Sequence, residues 1–390
     1  MTPFDAKDIV DRLAAVLPAE TPLHEPEFRG NEWAYVKECL DTGWVSSVGK
    51  YVDRFEEMLS DFTGVRHAVA TVNGTAALHA ALVLAGVEAD DEVVVPALTF
   101  VATANAVTYC GAVPHLADSE ERTLGLDPAK LSAHLEEIAQ IHDGRCVNRQ
   151  TGRRLRAVVC MHTFGHPVDL DPLVEVCDRF HLTLIEDAAE SIGSYYKGRH
   201  TGAWGRLSIL SFNGNKTITT GGGGAILTDD EKLAARAKHV TTTAKPPHRW
   251  QYAHDTIGYN YRLPNINAAL GCAQLEQLPD LLERKRRLAG VYETVFADVE
   301  GVRFFTEPAF ARGNYWLNVL LTDAADQRDA LLAESNDRGI MTRPAWTPMH
   351  HLPMFTDCPR MDLGVADDLF ARIVNIPSSA RLVPEPHESA

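Results

Sequence analysis

"SILSFNGNKTITTGGGGAI", residues 208–226, sets one lysine, Lys216, just past an apolar run, between an Asn-Gly turn and four consecutive glycines. The apolar run reads as a β-strand, and its end carries the only chemistry-bearing cation of the stretch. The same pattern, an apolar run ending in polar residues, recurs upstream in "LRAVVCMHTFG" (155–165) and "LTLIEDAAES" (182–191). Still earlier, "HAVATV" (67–72) meets "NGT" and an alanine- and leucine-rich helix ending near Gly86. "DEVVVP" follows, then a helix from about Thr99 to Tyr109, then "VPHLAD". Strands alternating with helices at this rhythm imply an α/β domain built on a mostly parallel sheet. Ligands of such sheets gather beyond the strand ends, so the polar residues there are the site candidates.

After about residue 245 the pattern changes to a loop, one long helix with "ERKRR" in its middle, and a smaller α+β segment. We therefore expect a large domain over residues 1–245, including an N-terminal substrate-loop segment, and a small C-terminal domain over 246–390. The basic run reads as a solvated helix face. The polar stretch "IHDGRCVNRQTGRRLR" (141–156) reads as an exposed excursion before a strand.

Composition narrows the function classes. The 390 residues are 45% hydrophobic and 23% charged, as in ordinary globular proteins, and the formal charge is -16. A general nucleic-acid binder needs a basic footprint, so nucleic acid is not expected as a partner. The seven cysteines, with no CxxC pair, read as reduced thiols of a cytoplasmic protein. The first twenty residues contain acids and no basic n-region, which argues against a signal peptide, and no stretch reads as a membrane span.

Three strand-end features converge on one cofactor. "NGT" (73–75) opens a helix, whose free N–H groups attract an anion. Asp187 ends an apolar run, where it could cap a helix, hold a metal or face a heterocyclic nitrogen. Lys216 ends the next run. No GxxxxGK[ST] phosphate loop and no metal-ligand spacing is present, and "TFG" between His162 and His166 reads as a turn, so no metal is expected. A phosphate site, a carboxylate and a lysine are what pyridoxal phosphate requires. The acid keeps the pyridine nitrogen protonated and the lysine carries the Schiff base and moves protons. The glycines would let the backbone turn tightly beside the cofactor and substrate.

The motifs "NGTAALHAAL", "DEVVVPALTFVATANAV", "HTFGHPVDLDP", "EDAAESIGSYYKG", "SFNGNKTITTGGGG" and "GYNYRLPNINAALGCAQLE" resemble, in this order, those of the DegT/DnrJ/StrS sugar aminotransferases, over about residues 21–380. The resemblance implies a fold-type-I pyridoxal-phosphate enzyme, a homodimer with shared active sites, and transfer of an amino group from glutamate to a nucleotide-linked ketosugar. It implies that Lys216 is the Schiff-base lysine and Asp187 the pyridinium partner. It implies phosphate contacts from Gly74, Thr75, Ala76 and Ser211, and from Asn260 of the other subunit. Phe100 would stack on the ring. Glu190 stands where many members carry glutamine or histidine beside the ring hydroxyl.

"LHEPEFRGNEWAYVKECLDTGWVSSVGKYVDRFE" and "TRPAWTPMHHLP" are similar to the LegC-like branch. That branch aminates the 4-keto carbon of nucleotide-linked 2-acetamido-2,6-dideoxyhexos-4-uloses, on routes to legionaminic acid or bacillosamine. On this basis Trp44, Ser46, Ser47 and His350 would line the substrate pocket. Much of the family reads GEGG where this chain has Gly221 to Gly224, and the tail "VPEPHESA" lacks the final helix expected. Two other classes stay open. One is a pyridoxal-phosphate enzyme of different chemistry, such as the sugar 3-dehydratases that replace the lysine with histidine or aminotransferases acting on another ketosugar. The other is a non-catalytic sensor on the same fold.

Overall fold

The computed structural model describes residues 4–383; of the tail "VPEPHESA" (383–390) all but Val383 lies outside the described residues. Three helices come first, α1 (Ala6–Val16), α2 (Glu32–Thr42) and α3 (Lys50–Thr63). The sheet then begins. β1 (His67–Thr71) leads into α4 (Gly74–Leu84), β2 (Glu92–Pro96) into α5 (Val101–Tyr109), and β3 (Val113–Ala117) into α6 (Pro128–Ile138). A hairpin, β4 (Ala139–His142) and β5 (Arg145–Asn148), precedes β6 (Arg154–Met161), α7 (Leu170–Arg179) and β7 (Thr183–Asp187). A short ribbon of β8 (Tyr195–Tyr196) and β9 (Arg199–His200) comes before β10 (Leu207–Ser211), β11 (Gly224–Thr228) and α8 (Glu231–Thr241).

The strand order is β1-β11-β10-β7-β6-β2-β3. Neighbours from β10 to β3 run parallel, and β11 is antiparallel to both β10 and β1. The expected mostly parallel sheet is therefore present, with one reversed strand. β11 runs back beside β10 because the loop 212–223 is closed at its base, Phe212 N–H bonding Gly223 O at 2.8 Å and Thr220 N–H bonding Phe212 O at 3.0 Å. One face of the sheet carries α4, α5 and α8, which bury Val95, Val159, Ile185 and Ile209. The other carries α3 over Leu210 and Leu227, and α6 with α7 over Val94, Val158 and Leu184.

The segment 141–156 is largely exposed and leads into a strand, as expected, but it carries regular structure of its own. Its first part forms the β4–β5 hairpin, and β5 extends the sheet by pairing antiparallel with β6. Glu92 anchors it. This fully buried carboxylate accepts from His115 Nδ1 at 2.9 Å, Asn148 Nδ2 at 2.9 Å and Thr151 Oγ1 at 2.5 Å. Polar residues there serve a buried acid, which reads in sequence like a solvated loop.

The long helix α9 (Asn265–Val295) lies across both parts of the molecule. Its first half packs on α2 and α3, and its second half joins a separate apolar cluster. That cluster crosses residue 245/246, because Ile9, Val10 and Leu13 of α1 pack with Leu288, Tyr292, Leu320 and Val374. Around it lie β12 (Val302–Phe304), β13 (Ala311–Arg312), β14 (Asn318–Thr322), α10 (Ala325–Asp337), β15 (Arg343–Pro344), α11 (Gly364–Arg372) and β16 (Ile373–Ile376). Strands β12-β14-β16-β15 form an antiparallel sheet, the smaller α+β part, while β13 pairs with β8.

The position of α9 corrects the reading of "ERKRR" as a solvated face. Arg284 and Lys285 are both buried. Arg284 forks onto the two oxygens of Glu27 at 3.0 and 2.9 Å and reaches Asp280 at 2.8 Å. Lys285, 1% exposed, donates to the carbonyls of Trp316 at 3.2 Å and Ser378 at 2.5 Å. Burial pushes its ammonium down to about 7.

Candidate active site

The strand ends β7 and β10 and the first turns of α4 and α5 enclose a pocket of about 550 Å³, closed from the other side by Trp316, Arg343 and Trp346. Its floor begins at Asn73. This residue caps α4, its Oδ1 accepting from Ala76 N–H at 2.7 Å, while Ala77 N–H bonds Asn73 O at 3.1 Å. The N–H groups of Gly74 and Thr75 belong to the orphan set of a helix start, and both residues line the pocket with Ser211. Ala76 differs from expectation: its N–H is spent on the cap. Gly74 is glycine because a Cβ there would stand 2.9 Å from Ser211 Cβ.

Asp187 ends β7 and is 6% exposed. One oxygen accepts from Thr103 Oγ1 of α5 at 2.8 Å, the other from Ala189 N–H at 3.2 Å. Burial raises its pKa, and Thr103 and the Lys216 charge pull against that rise. Its neighbour Glu186 points to the opposite face, as alternation requires. There it accepts from His162 Nε2 at 3.0 Å and from the N–H groups of Gly202, Trp204 and Gly205 at 2.8, 2.7 and 2.6 Å. His162 is thus a structural partner of Glu186, and His166 packs against Phe305 and Tyr315. No ligand pair forms between them.

Lys216 projects into the pocket between an acid and an aromatic face. Its Nζ lies 3.1 Å from Glu190 Oε1 and 3.9 Å from the Trp316 ring centroid. Trp316 is fixed in turn, its Nε1–H donating to Asn215 O at 2.7 Å. Glu190 is 3% exposed, and its second oxygen accepts from Phe164 N–H at 2.9 Å. Burial pushes its pKa up to about 7, against the pull of Lys216. Phe164 adopts a left-handed φ of 56° in "HTFGH" and stacks on Trp346 at 4.8 Å. Phe100, 49% exposed at the start of α5, offers its ring to the pocket.

Gly74, Thr75, Phe100, Asp187, Glu190, Ser211 and Lys216 therefore line one cavity. Trp44, Ser46, Ser47, His350 and Asn260 do not line it. Trp44 is 58% exposed just past the end of α2, where its carbonyl and that of Ser46 accept from Asn265, while Ser47 is half-buried. Asn260 is exposed beside Thr242. The imidazole of His350 faces Asp367 instead, with Nε2 at 3.0 Å. The glycine run also departs from its expected role. None of Gly221 to Gly224 lines the pocket; a Cβ on Gly224 would meet Asn73 C at 2.5 Å, so that glycine seats the α4 cap.

Sequence reasoning missed Thr103, His24, Trp316, Arg343 and Trp346. Thr103 lies one turn past Phe100 on the helix expected over about Thr99 to Tyr109, so helical spacing could have found it. The others come from the N-terminal segment and the small part, where no strand-end rule applies. Burial, with the Lys285 and Lys216 charges, holds the His24 imidazole well below its usual range.

The arrangement fits pyridoxal phosphate: orphan N–H groups for a phosphate, a buried carboxylate with spare acceptor capacity, and a lysine between them. A sequence model of the DegT/DnrJ/EryC1/StrS aminotransferase family matches residues 26–389. The GDP-perosamine synthase of Caulobacter vibrioides is 41% identical over 362 residues, covering 92% of each chain. A putative pyridoxal phosphate-dependent aminotransferase of Bacillus subtilis, EpsN, is 37% identical over 93% of this chain and 92% of its own. Among solved structures, the aminotransferase TlmJ of Streptoalloteichus hindustanus superposes with a TM-score of 0.83 at 28% identity, covering 92% of this chain and 93% of its own.

Proposed function

Because the chain belongs to the DegT/DnrJ/EryC1/StrS aminotransferase family, we propose that it moves an amino group from glutamate to the keto carbon of a nucleotide-linked sugar, with pyridoxal phosphate bound in the pocket. The observation that carries this reading is the meeting of the α4 start, Asp187 and Lys216 in one cavity. Bound there, pyridoxal phosphate would supply an electron sink through which C–N bonds are exchanged.

The chain's own residues would divide the remaining work. Gly74 and Thr75 N–H groups and Ser211 hold the phosphate. Asp187, oriented by Thr103, keeps a proton on the ring nitrogen. Phe100 covers a ring face. Lys216 Nζ binds the cofactor and moves protons, and Glu190 holds or receives a proton beside it. Trp316 shields the opposite side of Nζ from water. Arg343, a guanidinium at the pocket, is suited to the carboxylate of glutamate or the diphosphate of the sugar nucleotide.

We further propose a homodimer with shared sites. Trp33, Val48, Trp250, Tyr252 and Ile257 are large apolar side chains left exposed, which supports burial against a second copy. Asn260, Trp44, Ser46 and Ser47, outside this chain's pocket, are then available to the partner's. Cytoplasmic residence suits a nucleotide-sugar substrate and seven free cysteines.

For the acceptor, the name of the Caulobacter relative supports a GDP-linked sugar, aminated at its 4-keto carbon. The LegC-like motifs support the second reading, a 2-acetamido-2,6-dideoxyhexos-4-ulose on a legionaminic acid or bacillosamine route. The test is a panel of GDP- and UDP-linked 4-ketosugars, with and without a 2-acetamido group, each incubated with the holoenzyme and glutamate. An amino sugar with matching 2-oxoglutarate from one class is the expected result. Cofactor binding without amination of any of them would overturn the sugar reading.

A further inference from the structure

Away from the pocket, two consecutive histidines and an aspartate share one point of the small part. His350 and His351 lie on a 3₁₀ turn (Met349–His351), and Asp367 lies in the first turn of α11. The tight turn converges the two rings, whose centroids are 4.1 Å apart at 60°. His350 Nε2 is 3.0 Å and His351 Nε2 3.3 Å from the same oxygen, Asp367 Oδ1. Among the described residues this is the cluster of three His, Cys or acidic side chains whose ligand atoms all fall within 4.8 Å of one another.

His350 and Asp367 attract one another electrostatically, but no well-aligned hydrogen bond joins them. Asp367 Oδ1 is shielded from solvent and has no hydrogen-bond partner, although two imidazole nitrogens stand within reach. His350 Nδ1 is also buried and unpartnered. Atoms that sit side by side around a common centre behave this way. Ligands bound to zinc at about 2.0–2.1 Å in a tetrahedron stand roughly 3.3 Å from each other, close to the two separations seen.

We propose that His350, His351 and Asp367 form a binding site for a divalent transition cation of the zinc class, with solvent completing the coordination. Two imidazoles and one carboxylate favour zinc, cobalt, nickel or copper over magnesium or calcium. His351 and Asp367 are partly exposed, which gives the ion an entry path. Arg360 lies within electrostatic range of His350 and opposes a cation, which sets the affinity below that of a four-ligand structural site. The ion would clip the 346–351 segment to α11. That segment carries Trp346 into the pocket and is tied to the sheet by Met349 N–H on Ala97 O at 2.8 Å.

The test uses the untagged, full-length holoenzyme, stripped with a chelator and titrated separately with Zn²⁺ by calorimetry and with Co²⁺ by visible absorption. One equivalent per chain is expected, with Co²⁺ bands at wavelengths beyond the cofactor's. His351→Ala and Asp367→Asn should each weaken binding by at least ~10–100-fold, the loss typical of disturbing a site's supporting shell, while keeping the cofactor absorbance close to wild type. Both changes are partly exposed side chains, and retained cofactor absorbance reports a folded chain. Unchanged affinity in both variants, or no saturable binding of either ion to the wild type, would overturn the site.

Discussion

Lys216 owes its position to three contacts of different kinds: the strand that ends at Ser211, the carboxylate of Glu190 and the face of Trp316. Replacing it with alanine removes both the cofactor's anchor and the proton carrier. Lys216→Ala should remove the visible absorbance band of the bound cofactor and lower turnover by more than the ~10²–10⁴-fold that acid–base assistance alone contributes. Transamination near the wild-type rate would contradict the assignment. Asp187→Ala should behave differently. The phosphate cradle and Lys216 remain, so the cofactor should still bind, with partial occupancy, while the rate falls severely because the ring nitrogen loses its proton-stabilising partner. Cofactor content and rate, measured on one preparation, separate the two variants.

The glycine run gives a test at the level of elements. Gly224 of β11 lies against the backbone of Asn73, and an added Cβ would come 2.5 Å from its carbonyl carbon. Backbone cannot swing aside as a side chain can. Gly224→Ala should push the α4 cap away from β11, cost about 1–3 kcal/mol as overpacking does, and weaken cofactor binding. At Gly222 the nearest atom to an added Cβ is Val72 O at 3.9 Å, so Gly222→Ala should leave stability and cofactor affinity near wild type. Equal effects at both positions, read by thermal unfolding and cofactor titration, would mean the glycines serve flexibility and not this close approach.

Two properties belong to the molecule as a whole. Lys285 is neutral in the folded protein above about pH 7 but protonated in the unfolded chain up to its usual 10.5. Between these values the unfolded state binds the extra proton, so this residue makes stability rise with pH, by about 1.4 kcal/mol per unit. Below pH 7 both states are protonated and the slope vanishes. The difference in unfolding free energy between wild type and Lys285→Met should therefore change across pH 7–10; a constant difference would place the charged form in the core. Assembly gives the other prediction. Lys216→Ala and Asn260→Ala chains, each nearly inactive alone, should recover about a quarter of wild-type activity when reassembled together. Half the dimers are then mixed, and one of the two sites in each is intact. Mixed dimers that form but stay inactive, with Asn260→Ala inactive alone, would assign Asn260 to its own chain's pocket.

The α/β class, the run of strand ends and the trio of the α4 start, Asp187 and Lys216 were legible in the sequence because each rests on local pattern. Apolar runs mark strands, and the residue after a parallel strand faces the ligand edge whatever the rest of the chain does. Gly74 and Thr75 were legible for the same reason, as the start of a helix after a strand. Other features depend on which distant segments meet. "ERKRR" reads as a wet surface until α9 is laid between two layers, where Arg284 finds Glu27 and Lys285 finds two carbonyls. The hairpin at 139–148 needed Glu92, some fifty residues earlier, to satisfy its polar groups. Trp316 and Arg343 reach the pocket only because the small sheet docks on it, and His350 turns from the pocket because α11 brings Asp367 to it. Sequence fixes periodicity and local caps; partners brought together across hundreds of residues are decided by packing, since burial energy depends on the final neighbours and not on the residue alone.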